Sequence, residues 1–130
     1  IKKRGIPVCV HLINGLPDET HDMMVETARE VGKLRPDFVK LHLLHIIKGT
    51  KIAEEYERGE FSLMTLPGYV SVICDQLEVL PKETVIQRVT GDGKKEDLIG
   101  PLWSLKKFVV MNEIDKEMAR RNSHQGIYFK

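Results

Sequence analysis

The stretch His11–Thr20, His-Leu-Ile-Asn-Gly-Leu-Pro-Asp-Glu-Thr, constrains the fold of this chain most strongly. An apolar run over residues 6–13 leads into it, and a helical pattern leads out of it. Gly15 allows a close approach of backbone or ligand because it has no Cβ, and the following proline restricts φ. The stretch therefore predicts a strand, a tight turn and a helix capped by Asp18 or Thr20. In α/β proteins, ligands bind on such turns, at the carboxyl ends of the strands.

Hydrophobic periodicity predicts two further strands, Asp37–Ile47 and Thr84–Thr90. The first two strands flank a helix, so they are expected to be parallel, with a right-handed crossover. Residues 1–130 are expected to form a single α/β domain with about three parallel strands and flanking helices. The predicted helices cover about 20–34, 51–58, 66–80 and the residues beyond 104, with Thr65 and Ser104 as further caps.

Apolar spacing assigns a buried face to each long helix. The first helix is expected to bury Met24, Ala28, Val31 and Leu34. The last helix is expected to bury Leu105, Phe108, Met111, Ile114 and Met118 and to expose its basic residues, Arg121 among them. The tail from residue 122 onward shows no pattern.

Polar side chains of the first two strands are predicted to meet on one face of the sheet. His11 shares a strand face with Cys9 and Ile13, and His42 shares one with Phe38, Lys40 and Leu44. That common face would be a barrel lumen or the open end of a sheet, and both faces are expected to be covered. His11 and His42 then point at one pocket, either as ligand-binding or acid/base groups or as hydrogen-bonded structural histidines.

A cation, Arg88, stands within the apolar third strand. If it is buried it requires an anionic partner. A ligand carboxylate or phosphate satisfies that requirement, and so does an internal Asp or Glu.

Composition and motifs exclude several classes of function. The net charge is +1, with 30% charged residues, so no overall field favours nucleic acid or membrane. The two cysteines, Cys9 and Cys74, are expected to be buried reduced thiols of a cytoplasmic chain, and they have no metal-ligand spacing. The sequence contains no GxGxxG, P-loop or HExxH motif, no signal peptide and no apolar run approaching the ~20 residues of a membrane span.

Two motifs carry a family resemblance. Gly-Leu-Pro-Asp-Glu-Thr at residues 15–20 and Lys-Gly-Thr-Lys-Ile-Ala at 48–53 resemble segments in the second half of a radical S-adenosylmethionine (SAM) barrel. The segments 90–93 and 101–104, Thr-Gly-Asp-Gly and Pro-Leu-Trp-Ser, are similar to those of the YhcC-like branch near the Elongator catalytic subunit. The resemblance covers nearly the whole chain. It implies that residues 1–130 form a partial (β/α) barrel, the carboxy-terminal part of a radical SAM barrel.

The resemblance implies where a cofactor would lie. Ile13 and Gly15 match a fifth-strand motif, Gly-x-Ile-x-Gly-x-x-Glu, that contacts the adenine of S-adenosylmethionine, with His11 and Asp18 at its first Gly and its Glu. Backbone around His42–His45 on the next strand would face the same adenine. The candidate cofactor-binding residues are His11, Ile13, Gly15, Asp18, His42, Leu44 and Arg88. No catalytic residue and no metal ligand is assigned.

The resemblance also implies partners outside this chain. In such enzymes a [4Fe–4S] cluster on a CxxxCxxC loop of the first half of the barrel cleaves S-adenosylmethionine. That loop is absent here, so no cofactor is expected on this chain alone. The pattern of residues 1–5 is typical of the end of a helix. This pattern predicts that the chain is a piece of a longer protein. The expected partners are an amino-terminal half barrel, tRNA by family analogy, and other copies through open sheet edges, with no membrane.

Two other classes of function stay open at this point. One is a free-standing, non-enzymatic α/β module whose His11/His42 pocket holds a small ligand. The other is a hydrolase that uses the same histidines. The complete reading frame separates them from the radical enzyme, because only the radical enzyme requires upstream codons for CxxxCxxC.

Overall fold

A computed structural model describes residues 5–89 and 96–129. The predicted turn at 90–93 lies outside the described residues, as do the first four residues of the chain. The strands are β1 (Cys9–Asn14), β2 (Phe38–Leu43), β3 (Ile46–Ile47), β4 (Val85–Arg88) and β5 (Leu98–Gly100). The helices are α1 (His21–Lys33), α2 (Lys51–Glu57), α3 (Leu66–Val79) and α4 (Lys107–Arg120), with a 3₁₀ turn at Leu102–Leu105 before α4.

The main sheet has the order β1-β2-β4, and both strand pairs are parallel. The expected α/β class with three parallel strands and flanking helices is therefore confirmed. β2 is shorter than predicted: after Leu43, the Leu44 amide donates to the Asn14 carbonyl (2.8 Å) and β1 ends. With no neighbouring strand to pair with, the chain continues into β3, which pairs antiparallel with β5 in a separate two-stranded sheet.

Helices cover one face of the main sheet. Val39, Leu41 and Leu43 on β2 are buried on that face and belong to the same core cluster as residues of α1, α3 and α4. On the opposite face, Cys9 and Ile13 of β1 are exposed. The expectation of two covered faces is therefore wrong within the described chain, because all its long helices lie on one side.

The cysteines differ in environment, against the prediction that both are buried. Cys74 of α3 is buried, and burial raises the pKa of its thiol to about 11, so this thiol stays protonated. Cys9 is exposed, because it lies on the uncovered face of β1. Both are free thiols.

The predicted caps at Thr20 and Thr65 are confirmed, and Thr50, which is not among the predicted caps, caps α2. The side chains of Thr20, Thr50 and Thr65 accept hydrogen bonds from backbone N–H groups in the first turns of α1, α2 and α3. Ser104 is not the predicted cap of α4, because its hydroxyl donates to the Pro101 carbonyl (2.6 Å) and the helix begins at Lys107.

The buried face of α4 differs from the predicted one. Val110 and Ile114 are buried, whereas Phe108 is 83% exposed and Met111 is exposed as well. Phe108, Met111 and Ile114 all lie within α4, where residues three apart are offset by about 60°, so a stripe counted in steps of three drifts around the helix. Val110 and Ile114 are four residues apart and share a face, whereas Phe108 lies about 120° from Ile114. In α1, Leu34 is likewise exposed, because it lies beyond the last helical residue.

Arg121 does not face solvent as predicted but joins α4 to α3. Its guanidinium donates to Asp75 (2.7 Å), Glu78 (3.0 Å) and Glu117 (2.8 Å). Three carboxylates around one partly buried guanidinium make this a network instead of an isolated surface pair. The end of α4 is thereby held against the middle of α3.

The tail after α4 is ordered against α3 although its sequence has no periodicity. The Gly126 amide donates to Leu77 O (2.9 Å) and the Tyr128 amide to Glu78 O (2.8 Å). Gly126 has φ of +83°, and a Cβ there would lie 2.9 Å from the backbone nitrogen of Lys82. Backbone hydrogen bonds and this close approach, which hydrophobic spacing does not report, determine the path of the tail.

No helix in the ranges 5–89 and 96–129 has both the length and the apolar composition to cross a membrane.

A buried amide pair links the end of β1 to α3. Asn14 Nδ2 donates to Gln76 Oε1 (2.9 Å), and Gln76 Nε2 donates to Asn14 Oδ1 (2.8 Å) and to Met24 O (3.0 Å). Both amides are about 98–99% buried, since Asn14 is 2% exposed and Gln76 is 1% exposed. Removing one partner leaves buried polar groups without hydrogen bonds.

We expect Asn14→Leu and Gln76→Leu each to lower the free energy of unfolding by about 2 kcal/mol, because each leaves the other amide buried without its hydrogen-bond partner. The double variant should lose less than the sum of the two, since neither amide then remains. Urea denaturation measures the free energy of unfolding of the two single variants and of the double variant. Gln87→Leu, at an exposed position of β4, is the matched control and should change stability little. Strict additivity of the two losses would contradict the proposed pairing.

Candidate ligand cleft on the open sheet face

A shallow cleft of about 380 Å³ lies on the uncovered face of the sheet, toward the carboxyl ends of the strands. It is lined by residues of all three parallel strands and of the segment that follows β2: His11, Ile13, His42, Leu43, Leu44, His45 and Arg88. Five of the seven candidate site residues therefore line one depression. Parallel pairing brings them together, because it places the strand ends at one edge.

The two histidines that the sequence places on a common face are in contact. The rings of His11 and His42 stack with centroids 5.2 Å apart and an interplanar angle of 28°. His11 is exposed, whereas His42 is partly buried. Next to them Ile13, which is 49% exposed, adds an apolar wall that is open to a ligand.

Arg88 reaches the cleft because of a strand irregularity. The pairing of β2 with β4 shifts between Val39 and Lys40, so that Lys40 stands opposite Arg88 instead of Gln87. Such a bulge redirects the side chain of the bulged strand. Strict alternation along β4 would have placed Gln87 in this position, so the sequence could nominate Arg88 only as a cation in need of an anion.

His42 lies in an electropositive and partly buried environment. Burial lowers the pKa of His42, and the positive charges of His11, Arg88, Lys40 and His45 lower it further. Among the described residues, His42 Nε2 is buried and has no hydrogen-bond partner. The neutral imidazole is therefore favoured.

Two candidate residues are not part of the cleft lining. Gly15 has φ of +92°, and a Cβ there would meet the Met64 sulfur at 3.3 Å and the Leu43 side chain at 3.6 Å. Asp18 also has a positive φ (65°) and is exposed in the turn. Both residues shape the turn between β1 and α1, and the contact with a cofactor expected for them stays a prediction.

Sequence reasoning did not include Lys40 among the site residues. In the structure Lys40 pairs in register with His11 on one side and with Arg88 on the other. The signal needed was the register of the strands, since a lysine alternating with apolar residues is otherwise typical of any half-exposed strand.

Comparison with known proteins relates this fold to one family. The radical SAM C-terminal domain family matches residues 36–120. The chain is 47% identical over all 130 residues to the protein YtqA of Bacillus subtilis and 32% identical over 115 residues to YhcC of Escherichia coli. It spans 40% of the length of the first and 37% of the second.

The chain is also similar to a tRNA-modifying enzyme and to a solved archaeal structure. A tRNA uridine(34) acetyltransferase of Methanocaldococcus infernus is 30% identical over 113 residues, which is 78% of this chain and 21% of that protein. The solved structure of an amino-terminally truncated Elp3 from the same archaeon superposes with a TM-score of 0.79 at 22% identity, over 95% of this chain and 29% of that one. At that identity the superposition shows a shared fold.

The lowered pKa of His42 makes a prediction about acid stability. Folded His42 binds a proton less readily than unfolded His42, so stability is lost as the pH falls from about 6.5 through the lower folded-state pKa. We expect the free energy of unfolding of the wild type to drop more between pH 7.5 and pH 5 than that of His42→Gln, which cannot be protonated. Urea denaturation at both pH values measures the difference.

Lys116→Gln serves as the control, because it removes an exposed charge on α4 without changing a histidine. Its loss of stability between the two pH values should equal that of the wild type. A parallel pH dependence of wild type and His42→Gln would contradict the environment described for His42.

Proposed function

The chain belongs to the family of radical SAM C-terminal domains, and from that premise we propose that it forms the carboxy-terminal part of a radical SAM enzyme. In this proposal the cleft on the open sheet face is one wall of the pocket for S-adenosylmethionine and substrate. The observation that carries it is the convergence of His11, Ile13, His42, Leu44 and Arg88 on one depression at the carboxyl ends of parallel strands.

The cleft has the chemistry to hold an adenosyl group. Ile13 and Leu44 provide apolar surface, the stacked His11 and His42 rings provide a flat face, and His42 Nε2 lacks a partner among the described residues. An adenine ring needs such an apolar slot with a few polar contacts. When bound beside an iron–sulfur cluster, S-adenosylmethionine supplies a carbon-centred radical in this family; these residues would bind and orient it and exclude water.

The iron–sulfur cluster does not fit this chain. A [4Fe–4S] cluster requires several thiolates close together, whereas Cys9 is exposed on β1 and Cys74 is buried in α3. Within the described ranges, no three His, Cys, Asp or Glu residues are grouped so as to hold a metal. We derive no step through the cluster and place its site in an amino-terminal half of the barrel.

Two features of the described chain suit such a partner. β1 and β4 are the edge strands of the sheet, so each presents one row of backbone groups that no described strand pairs. The outer side of α1 carries Met23, which is 52% exposed, and a depression lined by Thr27, Val31 and Leu34 together with Glu19, Glu26 and Glu30. A preceding strand and helix would pair with β1 and cover this side of α1. In their absence we expect copies of this chain to associate through the same edges.

The substrate we propose for the whole protein is a tRNA, by analogy with the archaeal tRNA uridine(34) acetyltransferases that match 78% of this chain. The complete reading frame tests the parent enzyme: codons for CxxxCxxC upstream of Ile1 support it. A frame that starts at Ile1 contradicts it and favours the free-standing binding module.

Ile13→Ala tests the cofactor wall in the complete protein. Loss of exposed apolar surface in the cleft should weaken S-adenosylmethionine binding about fivefold, from about 1 kcal/mol of lost burial, with little effect on folding because Ile13 is half exposed. Isothermal titration calorimetry measures the affinity. Val85→Ala is the matched control, since Val85 is 51% exposed on the same sheet but outside the cleft. Equal affinities of wild type and Ile13→Ala would show that the cofactor does not touch this wall.

A further inference from the structure

The segment 101–104, Pro-Leu-Trp-Ser, contains a tryptophan that contacts two other parts of the fold. Trp103 lies in the 3₁₀ turn before α4 and is partly buried. Its indole Nε1 donates to the carbonyl of Met64 (3.0 Å), in the connection between α2 and α3. Its ring also contacts that of Tyr69 in α3, with centroids 5.3 Å apart and an interplanar angle of 43°. Trp103 thus combines an apolar contact with one directed hydrogen bond, as buried indoles usually do.

Through Met64, Trp103 reaches the ends of the first two strands. A Cβ on Gly15, the residue after β1, would lie 3.3 Å from the Met64 sulfur and 3.6 Å from a methyl carbon of Leu43, the last residue of β2. The Met64 side chain therefore packs closely against the backbone of the turn, where φ of +92° favours glycine. Leu43 beside it belongs to the lining of the cleft.

Through Tyr69, Trp103 reaches the end of the third parallel strand. Tyr69 is fully buried, and its hydroxyl donates to the carbonyl of Val89 (2.5 Å). Val89 directly follows Arg88, which is the last residue of β4 and lines the cleft. Burial raises the pKa of Tyr69, so the hydroxyl keeps the proton that it donates. Both contacts of Trp103 therefore lead to the carboxyl ends of the strands, from the covered side of the sheet.

The carboxyl edge of the sheet needs such support because the strands separate there. The Leu44 amide donates to the Asn14 carbonyl (2.8 Å) at this edge. Beyond that bond, one chain enters the turn before α1 and the other enters β3 of the second sheet. Backbone that is held by few hydrogen bonds opens locally more readily than the middle of a sheet. Packing contacts near Gly15 and Val89 restrain this opening.

We infer that Trp103 is a positioning residue for the cleft. It acts through Met64 and Tyr69 and holds the ends of β1, β2 and β4 in the arrangement that a bound molecule requires. The inference rests on the proposed function, in which this cleft binds S-adenosylmethionine, and deepens it by naming a residue that supports the pocket without lining it. A pocket wall held in this way is preorganised, and loosening it weakens binding even when the fold is kept.

Amide hydrogen exchange of the chain itself tests the restraint, with Trp103→Phe as the variant. Phenylalanine keeps an aromatic ring at this position and removes the N–H that donates to Met64. The Leu44 amide reports the carboxyl edge, and the Phe38 amide, which is hydrogen-bonded at the amino ends of the same two strands, is the internal reference. We expect the ratio of the Leu44 exchange rate to the Phe38 exchange rate to rise about fivefold, as for one lost hydrogen bond. An unchanged ratio would overturn the inference.

Met64→Ala is the second variant, and it tests the same path if Trp103→Phe does not fold. It removes the side chain that packs against Gly15 and keeps the carbonyl that accepts from Trp103. We expect a similar rise in the exchange ratio. Because both substitutions act along one path, the double variant should show less than the product of the two single effects. Effects that multiply would mean that Trp103 does not act through Met64, which contradicts the inference.

The affinity of the complete protein for S-adenosylmethionine separates positioning from a purely structural role. We expect Trp103→Phe to bind about fivefold more weakly in isothermal titration calorimetry. Ser123→Ala is the matched control, because it removes a hydrogen bond to Glu78 (2.6 Å) beyond the far end of α4. It should lower stability by a similar amount and leave the affinity unchanged. Wild-type affinity in Trp103→Phe, or equal weakening in both variants, would show that Trp103 only stabilises the fold.

The two proposals fail separately. If the complete protein does not bind S-adenosylmethionine while the exchange ratio rises in Trp103→Phe and Met64→Ala, only the proposed ligand is wrong and the restraint on the cleft edge is supported. If binding depends on Ile13 but neither the affinity nor the exchange ratio responds to Trp103→Phe, only the positioning role is wrong.

Discussion

Parallel pairing of β1 with β2 is the constraint on which the other features of this structure depend. It aligns Leu12 with Leu41 on the covered face and Ile13 with His42 on the open face. Because the strands run in the same direction, the turns that follow them meet at one edge of the sheet. The reciprocal bond between Asn14 and Gln76 then joins the end of β1 to α3, so that the cleft edge and the helical layer are held together.

The second determining feature is that helices cover only one side of the sheet. The helices bury the β2 side chains of one face and so stabilise the domain, while the other face, which was also expected to be covered, stays open in the described chain. On that face, the strand register places His11, Lys40 and Arg88 in one row. A shared fold leaves the reaction open, because function depends on the groups in the site.

Much of the fold could be predicted from local signals. The threonine caps, the parallel strands and the inward residues of α1 near Ala28 each follow from a short-range rule. Predictions failed where a distant partner decides the outcome. β2 ends at Leu43 because β1 ends beside it, and the path of the tail around Gly126 depends on α3. Phe108 is exposed because the contact of α4 with its neighbours selects the face of Val110 and Ile114, which apolar spacing alone did not single out.

For the site, the sequence by itself determined which chemical groups are available and on which face of each strand most of them lie, because side-chain alternation is a local property of the backbone. His11, Ile13 and His42 could be assigned to one face on that basis. Only the tertiary structure decided that Lys40 stands in register with His11 and that a bulge turns Arg88 toward them, whereas Gly15 shapes the turn beside the cleft. Register and bulges arise from pairing between strands distant in sequence, and no single strand contains that information.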